Sequence, residues 1–235
     1  MEYVISDIHG SKDELTDVLD KIAFCKSDTL YVLGDSIDKG VDSFGVLKVL
    51  ESLGDNAVIL RGNHEEMMFD YFDHRGKWHP WINSAKCGAS TLRSASIDSM
   101  EVKKAIRFMR SFQRIIETTD AIMSHAGVDI VDDQLNIRDK HKCIWGSNIL
   151  NIENTSEIKK TIIFGHVNTS SISKEHTGKI WKHIRPGCEK MDNEDIHKYD
   201  KICIDTGVCN TGILGCLRLN DMMEIYATKK YRIAI

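Results

Sequence analysis

Side chains that can bind metal ions recur along this chain, each soon after a short apolar run. Asp7 and His9 are two residues apart, so both side chains of an extended segment can face one ion. The full set after such runs is Asp7, His9, Asp35, Asn63, His64, His125 and His166. Mixed nitrogen and oxygen ligands suit Mn, Fe or Zn better than Ca or Mg. The residue types therefore predict a transition-metal site.

The number of these ligands indicates more than one ion. Two ions about 3.5–4 Å apart could use them all, with a carboxylate between them. Asp35 is the expected bridge, because it should lie between the first and third strands. Such a pair lowers the pKa of a shared water and neutralises an anionic substrate, which fits attack by hydroxide on a phosphoester. His125 or His166 alone would be interpreted as a hydrogen-bonded core histidine, but the recurring setting favours ligation.

The first half of the chain alternates predicted strands with predicted helices. The strands are Val4–Ile5, Thr29–Leu33 and Ala57–Leu60. The first helix is predicted after a capping box at Ser11. The second starts at a Ser43 cap and stops at Gly54, and the third runs through Met67 to Tyr71. This alternation predicts βαβ units with parallel strands, whose carboxyl-end loops converge on one site.

The second half is richer in strands. They are predicted at 121–123, 161–164 and 202–204, with a hairpin around Asn220–Asp221. Residues 78–109 predict a helical cap, and residues 174–201 a surface loop with short strands. The fold class expected is α/β (α+β), a β-sandwich of two mixed sheets flanked by helices.

Composition narrows the class of protein. The 235 residues are 42% hydrophobic, enough for one core, so we expect a single domain over residues 1–235. A net charge of -4 gives no reason for an obligate nucleic-acid partner. The seven cysteines include no Cys-x-x-Cys pair, which predicts reduced thiols and a cytoplasmic location. Neither a signal peptide nor a membrane span is indicated.

Five motifs together resemble the calcineurin-like metallophosphoesterases, in the order of that family. The similarity looks closest to the phosphoprotein phosphatase branch, especially its small bacterial and bacteriophage members, and covers roughly residues 3–220. The motifs are Asp7-Ile8-His9-Gly10, Gly34-Asp35-Ser36-Ile37-Asp38-Lys39-Gly40, Gly62-Asn63-His64-Glu65, Ser124-His125-Ala126-Gly127 and Gly165-His166. Segments Trp81–Ser94 and Ile204–Gly207 also resemble those members.

The resemblance implies a role for each residue. Asp7 and His9 would hold one divalent ion and Asp35 would bridge. The second ion would be held by Asn63, which also meets the substrate, together with His125 and His166. His64 would be the general acid, oriented by Asp38. Mn²⁺ is the expected metal, with Fe or Zn as alternatives.

Two positions depart from the family pattern. Lys39 stands where the family usually has Arg, and Ser147 stands where its bacterial members often carry one. A lysine is a point charge and cannot form the bidentate fork of a guanidinium with a phosphoryl group. Lys39 is still expected to contact the phosphoryl group, with Arg138 or Arg185 supplying a further cation.

The function expected from this resemblance is hydrolysis of phosphoserine, phosphothreonine or phosphotyrosine in proteins, or of a small phosphoester. The alternative is a dinucleoside polyphosphate hydrolase. Asp38 favours the first, because dinucleotide-cleaving relatives tend to lack an acid at that place. An RNA-end phosphatase or cyclic phosphodiesterase is a third possibility, and a non-catalytic binding protein a fourth. The sequence leaves the native metal, the physiological substrate and the oligomeric state open.

Overall fold

Two mixed five-stranded sheets form the centre of the computed structural model. It describes residues 1–73, 80–95, 99–131, 134–137, 139–151 and 158–229. Their strands are β1 (Glu2–Ile5), β2 (Thr29–Val32), β3 (Ala57–Ile59), β4 (Ile115–Glu117), β5 (Ala121–Ser124), β6 (Asp129–Val131), β7 (Gln134–Asn136), β8 (Thr161–Phe164), β9 (Trp181–Ile184), β10 (Tyr199–Cys203), β11 (Ile213–Arg218) and β12 (Met223–Thr228).

Helices of very different length connect these strands. They are α1 (Lys12–Lys21), α2 (Ser43–Ser52), α3 (Asn63–Asp73), α4 (Pro80–Asn83), α5 (Gly88–Ser94), α6 (Ser99–Arg110), α7 (Lys142–Trp145), α8 (Thr169–Ile172) and α9 (Val208–Thr211). Short 3₁₀ turns lie at Gly54–Asn56, Ile149–Asn151, Lys174–His176 and Ile196–Lys198. None of the helices in the described ranges is long and apolar enough to cross a membrane.

Each large sheet has a parallel centre. The first has the order β12-β11-β1-β2-β3, in which β1, β2 and β3 are parallel, β11 pairs antiparallel with β1, and β12 pairs antiparallel with β11. The second has the order β4-β5-β8-β10-β9, with β5, β8 and β10 parallel. Strands β6 and β7 pair separately. The predicted fold class, two mixed sheets flanked by helices, is confirmed.

Alternating side chains of the central strands build separate core layers. In β1, Tyr3 and Ile5 pack in the layer that also contains helix residues such as Leu15 and Leu47, whereas Val4 packs in the layer between the sheets. In β8, Ile163 belongs to that middle layer, while its neighbours in sequence face the outer layer of the second sheet. Both faces of these strands are therefore buried, as their continuous apolar runs require.

Parallel pairing sends the functional loops to the same edge of each sheet. Ile5 is level with Val32, and Val32 with Ile59, so the loops after β1, β2 and β3 leave side by side. Met123 is likewise level with Ile163 in the second sheet. This register places the polar residues that follow the strands near one another.

The capping contacts predicted at two helix N-termini are wrong. Ser11 makes no side-chain capping bond, although α1 does begin directly after it. The cap of α2 is Asp42, whose carboxylate accepts from Gly45 N, because the Ser43 hydroxyl is used by Asp38 N instead. The predicted stop at Gly54 is confirmed, because α2 ends at Ser52 and Gly54 follows its cap with a left-handed φ of 55°.

Candidate dinuclear metal site

The loop after β1 supplies the first pair of donors. His9 Nδ1 lies 2.9 Å from the Ile37 carbonyl oxygen. Because a carbonyl only accepts, Nδ1 carries the proton and Nε2 keeps its lone pair, which accepts from the Lys39 ammonium at 2.6 Å. That Nε2 lies 3.8 Å from Asp7 Oδ1 and 3.5 Å from Asp35 Oδ2. The loop after β1 thus brings one imidazole nitrogen and one carboxylate near Asp35, and these are donor types that bind metal ions.

A second donor group comes from three other loops. His125 Nδ1 lies 2.8 Å from the Leu33 carbonyl oxygen, which again leaves the lone pair on Nε2. His125 Nε2 is 3.0 Å from Asn63 Oδ1 and 3.4 Å from Asp35 Oδ1. His166 Nδ1 is 3.1 Å from the same Asn63 oxygen. Oxygen and imidazole donors thus converge a second time.

Asp35 lies between the two groups. Its Oδ2 faces His9, and its Oδ1 faces His125. A carboxylate that directs one oxygen to each group has the geometry of a bridge between two ions. Asp7, Asp35 and His125 each offer a donor atom within 4.8 Å of the others, as do His9, Asp35 and His64. The donor set therefore fits a pair of divalent cations.

Local backbone strain accompanies this arrangement. Four of its donor residues have left-handed φ angles, which non-glycine residues rarely adopt: Asp7 (52°), His9 (48°), Asp35 (52°) and His166 (65°). Such strain persists only where surrounding structure over-determines it, and it concentrates at functional sites. Two glycines make room for the close approach, since a Cβ on Gly62 would collide with the Asp35 carboxylate and one on Gly165 with that of Asp7.

The electrostatics of the site keep its donors ready for a cation. Burial lowers the pKa of His9 to about 4 and lowers that of His166 as well, so both imidazoles are neutral at neutral pH. Burial opposes ionisation of Asp35, but the neighbouring rings of His125, His64 and His9 keep its pKa below the usual aspartate value. Neutral imidazole and ionised carboxylate are the forms that bind metals.

His64 differs from the other imidazoles. Its Nδ1 lies 2.6 Å from Asp38 Oδ2, and its Nε2 lies 3.8 Å from Asp35 Oδ2. Burial disfavours its charged form, but the carboxylates of Asp35 and Asp38 outweigh burial and raise the pKa to about 10. Asp38 is held in turn by donors from Trp81 Nε1, at 2.6 Å, and from the Thr91 hydroxyl. His64 is therefore an oriented imidazolium, able to donate a proton.

Glu65 is a functional residue whose role the sequence did not reveal. It is fully buried, and its carboxylate accepts from Asp35 N at 3.0 Å, Ser36 N at 2.8 Å and Gly62 N at 2.8 Å. Burial and the nearby Asp35 raise its pKa to about 7. One side chain thereby fastens the loop after β2 to the loop after β3. The sequence signal for this role is the position of Glu65, in the first turn of a helix that follows a buried strand.

Further residues border the site without having been predicted to do so. The Cys87 thiol hydrogen-bonds to His64, which lowers the pKa of that cysteine. Asp205 accepts from Gly207 N, and its burial, with Asp7 nearby, raises its pKa well above the usual value. Trp81, Thr91 and Cys87 all come from the helical region 80–95, so this region closes the site over His64.

Of the cations expected at the phosphoryl group, Lys39 lies at the site. Its Nζ is 2.6 Å from His9 Nε2, and its side chain is otherwise exposed. Arg138 falls outside the described residues. Ser147 does not replace the arginine that bacterial members often carry there, since its hydroxyl donates to the Ala126 carbonyl oxygen at 2.8 Å.

The expectation for Arg185 is wrong. Its guanidinium donates to the backbone carbonyl oxygens of Ile158, Lys159, His197 and Tyr199. Arg185 follows β9, and the register pairs the preceding Ile184 with Tyr199, the first residue of β10. It therefore lies at the opposite end of that strand from Asp205, where it stabilises backbone instead of gripping a phosphate.

Comparison with known proteins agrees with this geometry. Residues 3–202 match the family described as calcineurin-like phosphoesterase. The chain belongs to the calcineurin-like phosphoesterase family. Its clusters of carboxylates and imidazoles are the residues that could bind metal ions.

Its curated relatives carry one recurring name. The symmetrical bis(5'-nucleosyl)-tetraphosphatase of Buchnera aphidicola subsp. Baizongia pistaciae is 33% identical over 129 residues, which is 54% of this chain and 43% of that protein. The enzyme of the same name from Escherichia coli O139:H28 is 33% identical over 127 residues, 54% of this chain and 43% of that protein. The matched stretch thus spans less than half the length of these relatives.

Solved structures share the fold. A putative diadenosine tetraphosphatase superposes with a TM-score of 0.64 at 18% identity, covering 98% of this chain and 94% of that one. A protein serine/threonine phosphatase from Saccharomyces cerevisiae gives 0.56 at 14% identity, covering 100% of this chain and 81% of that one. At such identities the likeness concerns the fold alone.

The predicted protein serine/threonine phosphatase is therefore wrong, and the relatives support the alternative. Asp38 favoured the phosphatase over the alternative only because dinucleotide-cleaving relatives tend to lack an acid at that place. Asp38 orients and charges His64 and is itself anchored by Trp81 and Thr91. An acid in this place serves proton donation to any leaving oxygen, whatever molecule carries it.

Proposed function

We propose that this chain hydrolyses dinucleoside tetraphosphates symmetrically, within a single domain spanning residues 1–235. The observation that carries the proposal is the recurring tetraphosphatase name among relatives at 33–36% identity. The metal-binding geometry supports it, because a polyphosphate bridge is a phosphoester-like anion that two cations can neutralise. Symmetrical cleavage breaks the central P–O–P link: the oxygen of one water bonds to one phosphorus, His64 protonates the departing oxygen, and a proton from the water restores His64, which releases two nucleoside diphosphates.

Two divalent cations, Mn²⁺ first among them, would supply an activated water and neutralise phosphate charge. Asp7, His9 and Asp35 would hold one cation. Asp35, Asn63, His125 and His166 would hold the other, with Asn63 also near the substrate. The carbonyls of Ile37 and Leu33 fix the rings of His9 and His125, so that Nε2 of each ring faces the Asp35 carboxylate and would be available to a cation.

His64 would act as the general acid. Its imidazolium is held by Asp38 through Nδ1, which leaves Nε2–H directed toward the cluster around Asp35. From there it can donate a proton to the phosphate oxygen that leaves as a nucleoside diphosphate. That leaving group is a weaker base than a serine alkoxide, so charge neutralisation matters more here, and proton donation less, than for a phosphoserine.

Lys39 would supply part of this neutralisation. Its ammonium lies beside His9, at the edge of the group of carboxylate and imidazole donors around Asp35, which we call the metal cluster. There an oxygen of the polyphosphate can replace its present partner. A lysine contacts phosphate as a point charge, and that suits a long flexible polyphosphate whose oxygens present no fixed bidentate geometry.

A panel of substrates tests the proposal. We expect kcat/KM for a dinucleoside tetraphosphate to exceed that for a phosphopeptide and for an aryl phosphate, measured side by side with saturating Mn²⁺. A preference for the phosphopeptide would contradict the proposal, and so would equal values for all three.

A further inference from the structure

An open cleft of about 500 Å³ lies directly beside the metal cluster. We call it the lysine cleft, after Lys12, Lys39 and Lys229, which line it. One wall is formed by the loop that follows Lys39, and the other by the short helix α9 with the end of β12. Its volume falls within the range of roughly 300–1,000 Å³ that is usual for small-molecule sites.

The lysine cleft lies against the loop after β1, the same loop that carries Asp7 and His9. The His9 carbonyl oxygen accepts from Gly40 N at 2.8 Å, and the Cys209 thiol lies 3.8 Å from the same oxygen. Gly10 O accepts from Asp42 N at 3.0 Å. Lys39, whose ammonium contacts His9 Nε2, lines the cleft as well. The cleft and the metal cluster are therefore continuous, with Lys39 at the junction.

The cations of the lysine cleft differ in how they are paired. Lys12 Nζ lies 3.6 Å from Asp42 Oδ2, so its charge is partly satisfied. Lys39 and Lys229 form no ion pair with a carboxylate among the residues that the structure describes, and both are exposed. They are available to an anion that extends from the metal cluster into the cleft.

Uncharged and acidic groups line the same cleft. Asn210 offers an amide on the exposed side of α9, and Asp13 offers a carboxylate in the first turn of α1. Amides can hydrogen-bond to a base, and carboxylates accept from ribose hydroxyls, as in dinucleotide sites. Two available lysines next to such groups match a ligand that has phosphates at one end and a nucleoside at the other.

We infer that the lysine cleft binds one nucleoside diphosphate half of the substrate, an inference that rests on the proposed function. The central phosphates lie at the metal cluster, Lys39 contacts the phosphate that enters the cleft, and Lys229 and Asn210 contact the more distant part of that half. The cleft thereby distinguishes a dinucleoside polyphosphate from a substrate with a single phosphoryl group, which reaches only the metal cluster.

The test measures one ratio, kcat/KM for a dinucleoside tetraphosphate divided by kcat/KM for an aryl phosphate, on the Mn²⁺-loaded enzyme. Lys229→Ala removes an exposed cation, and Asn210→Trp fills the cleft. Each should lower the ratio about five- to tenfold, the size of one or two lost polar contacts. Turnover of the aryl phosphate shows that each variant is folded.

Lys26→Ala is the matched control. Lys26 is an exposed lysine in the loop before β2, at the opposite end of that strand from Asp35, and its removal should leave the ratio unchanged. Suppose that the wild-type enzyme cleaves the tetraphosphate and that the ratio is the same in Lys229→Ala, Asn210→Trp and Lys26→Ala. This result would overturn the cleft assignment alone. Wild-type enzyme that turns over the aryl phosphate but not the tetraphosphate would overturn the proposed function and the assignment with it.

Discussion

Replacing Glu65 by glutamine should both destabilise the protein and disable the metal site. The buried carboxylate accepts three backbone N–H groups, from Asp35, Ser36 and Gly62, at 2.8–3.0 Å. A glutamine amide has one accepting oxygen, so its NH₂ group must face at least one of these N–H donors. One buried donor is then left unpaired, and the remaining bonds lose their charge assistance.

The size of the effect follows from these contacts. An unsatisfied buried N–H costs about 1–3 kcal/mol, and weakening the other two bonds adds about 0.5–1.5 kcal/mol each. The raised pKa of Glu65, about 7, shows that burial of this charge near Asp35 already offsets part of its contribution. The net loss in unfolding free energy should be about 2–4 kcal/mol, which lowers Tm by roughly 5–15 °C for a chain of this length.

Thermal unfolding followed by circular dichroism measures this loss, with Glu66→Gln as the control. Glu66 is the next residue, and its Oε1 accepts from Arg61 and Arg114, both at 3.0 Å, near the surface. A partly exposed pair of this kind contributes roughly 0–1 kcal/mol. Displacing Asp35 by about 1 Å should also cost about 10²-fold in activity, in Glu65→Gln alone. Equal melting temperatures and equal activities for the two variants would refute this reasoning.

Chelation should abolish activity, and Mn²⁺ should restore it better than Ca²⁺, because the donors mix imidazole with oxygen; metal analysis that finds fewer than two ions per chain at saturation would contradict the bridged arrangement. Asp35→Asn should lose more activity than His64→Asn at saturating metal, since the former removes the bridge and the latter only proton donation, worth about 10²–10⁴-fold. His64 loses its proton as pH rises through its pKa of about 10, or through a lower pKa when bound cations repel the imidazolium. Wild-type kcat/KM should fall over that pH range, whereas His64→Asn should lack this fall. Lys39→Arg should retain activity and Lys39→Ala should raise KM and lower kcat/KM; steady-state kinetics that show less than twofold change for both would mean that Lys39 touches no phosphate.

The positions of the metal donors could be predicted because the ends of strands can be recognised in the sequence. An apolar run that stops at a polar residue marks the edge of a sheet, and parallel strands bring such edges together. The strand ends alone therefore predict that Asp7, Asp35 and Asn63 lie close together. Their grouping around two ions could be proposed because one ion cannot use so many donors.

Other features depend on contacts between distant segments, which periodicity does not encode. Both Asp42 and Ser43 can cap α2, and the choice falls to Asp42 only because Ser43 is needed by Asp38. Glu65 acts on the loop after β2, which lies thirty residues earlier in the chain. Arg185 looked available as a phosphate-binding cation until its register on β9 put it at the far end of β10.

The substrate was the point on which the residues misled. The presence of Asp38 favours a phosphoprotein when the sequence is considered alone, but its contacts concern His64 and the surrounding fold rather than the leaving group. Residues that perform the chemical step are shared by substrates of many shapes, whereas selectivity depends on surfaces such as the lysine cleft, which form only after folding.

The most direct test of the account is the product pattern from a dinucleoside tetraphosphate in ¹⁸O-labelled water, with the Mn²⁺-loaded wild-type enzyme and Asp35→Asn as the inactive control. We predict nucleoside diphosphate as the sole nucleotide product, with label in one of every two molecules formed. Nucleoside triphosphate with monophosphate, or an intact tetraphosphate in a preparation that hydrolyses a phosphopeptide, would contradict it.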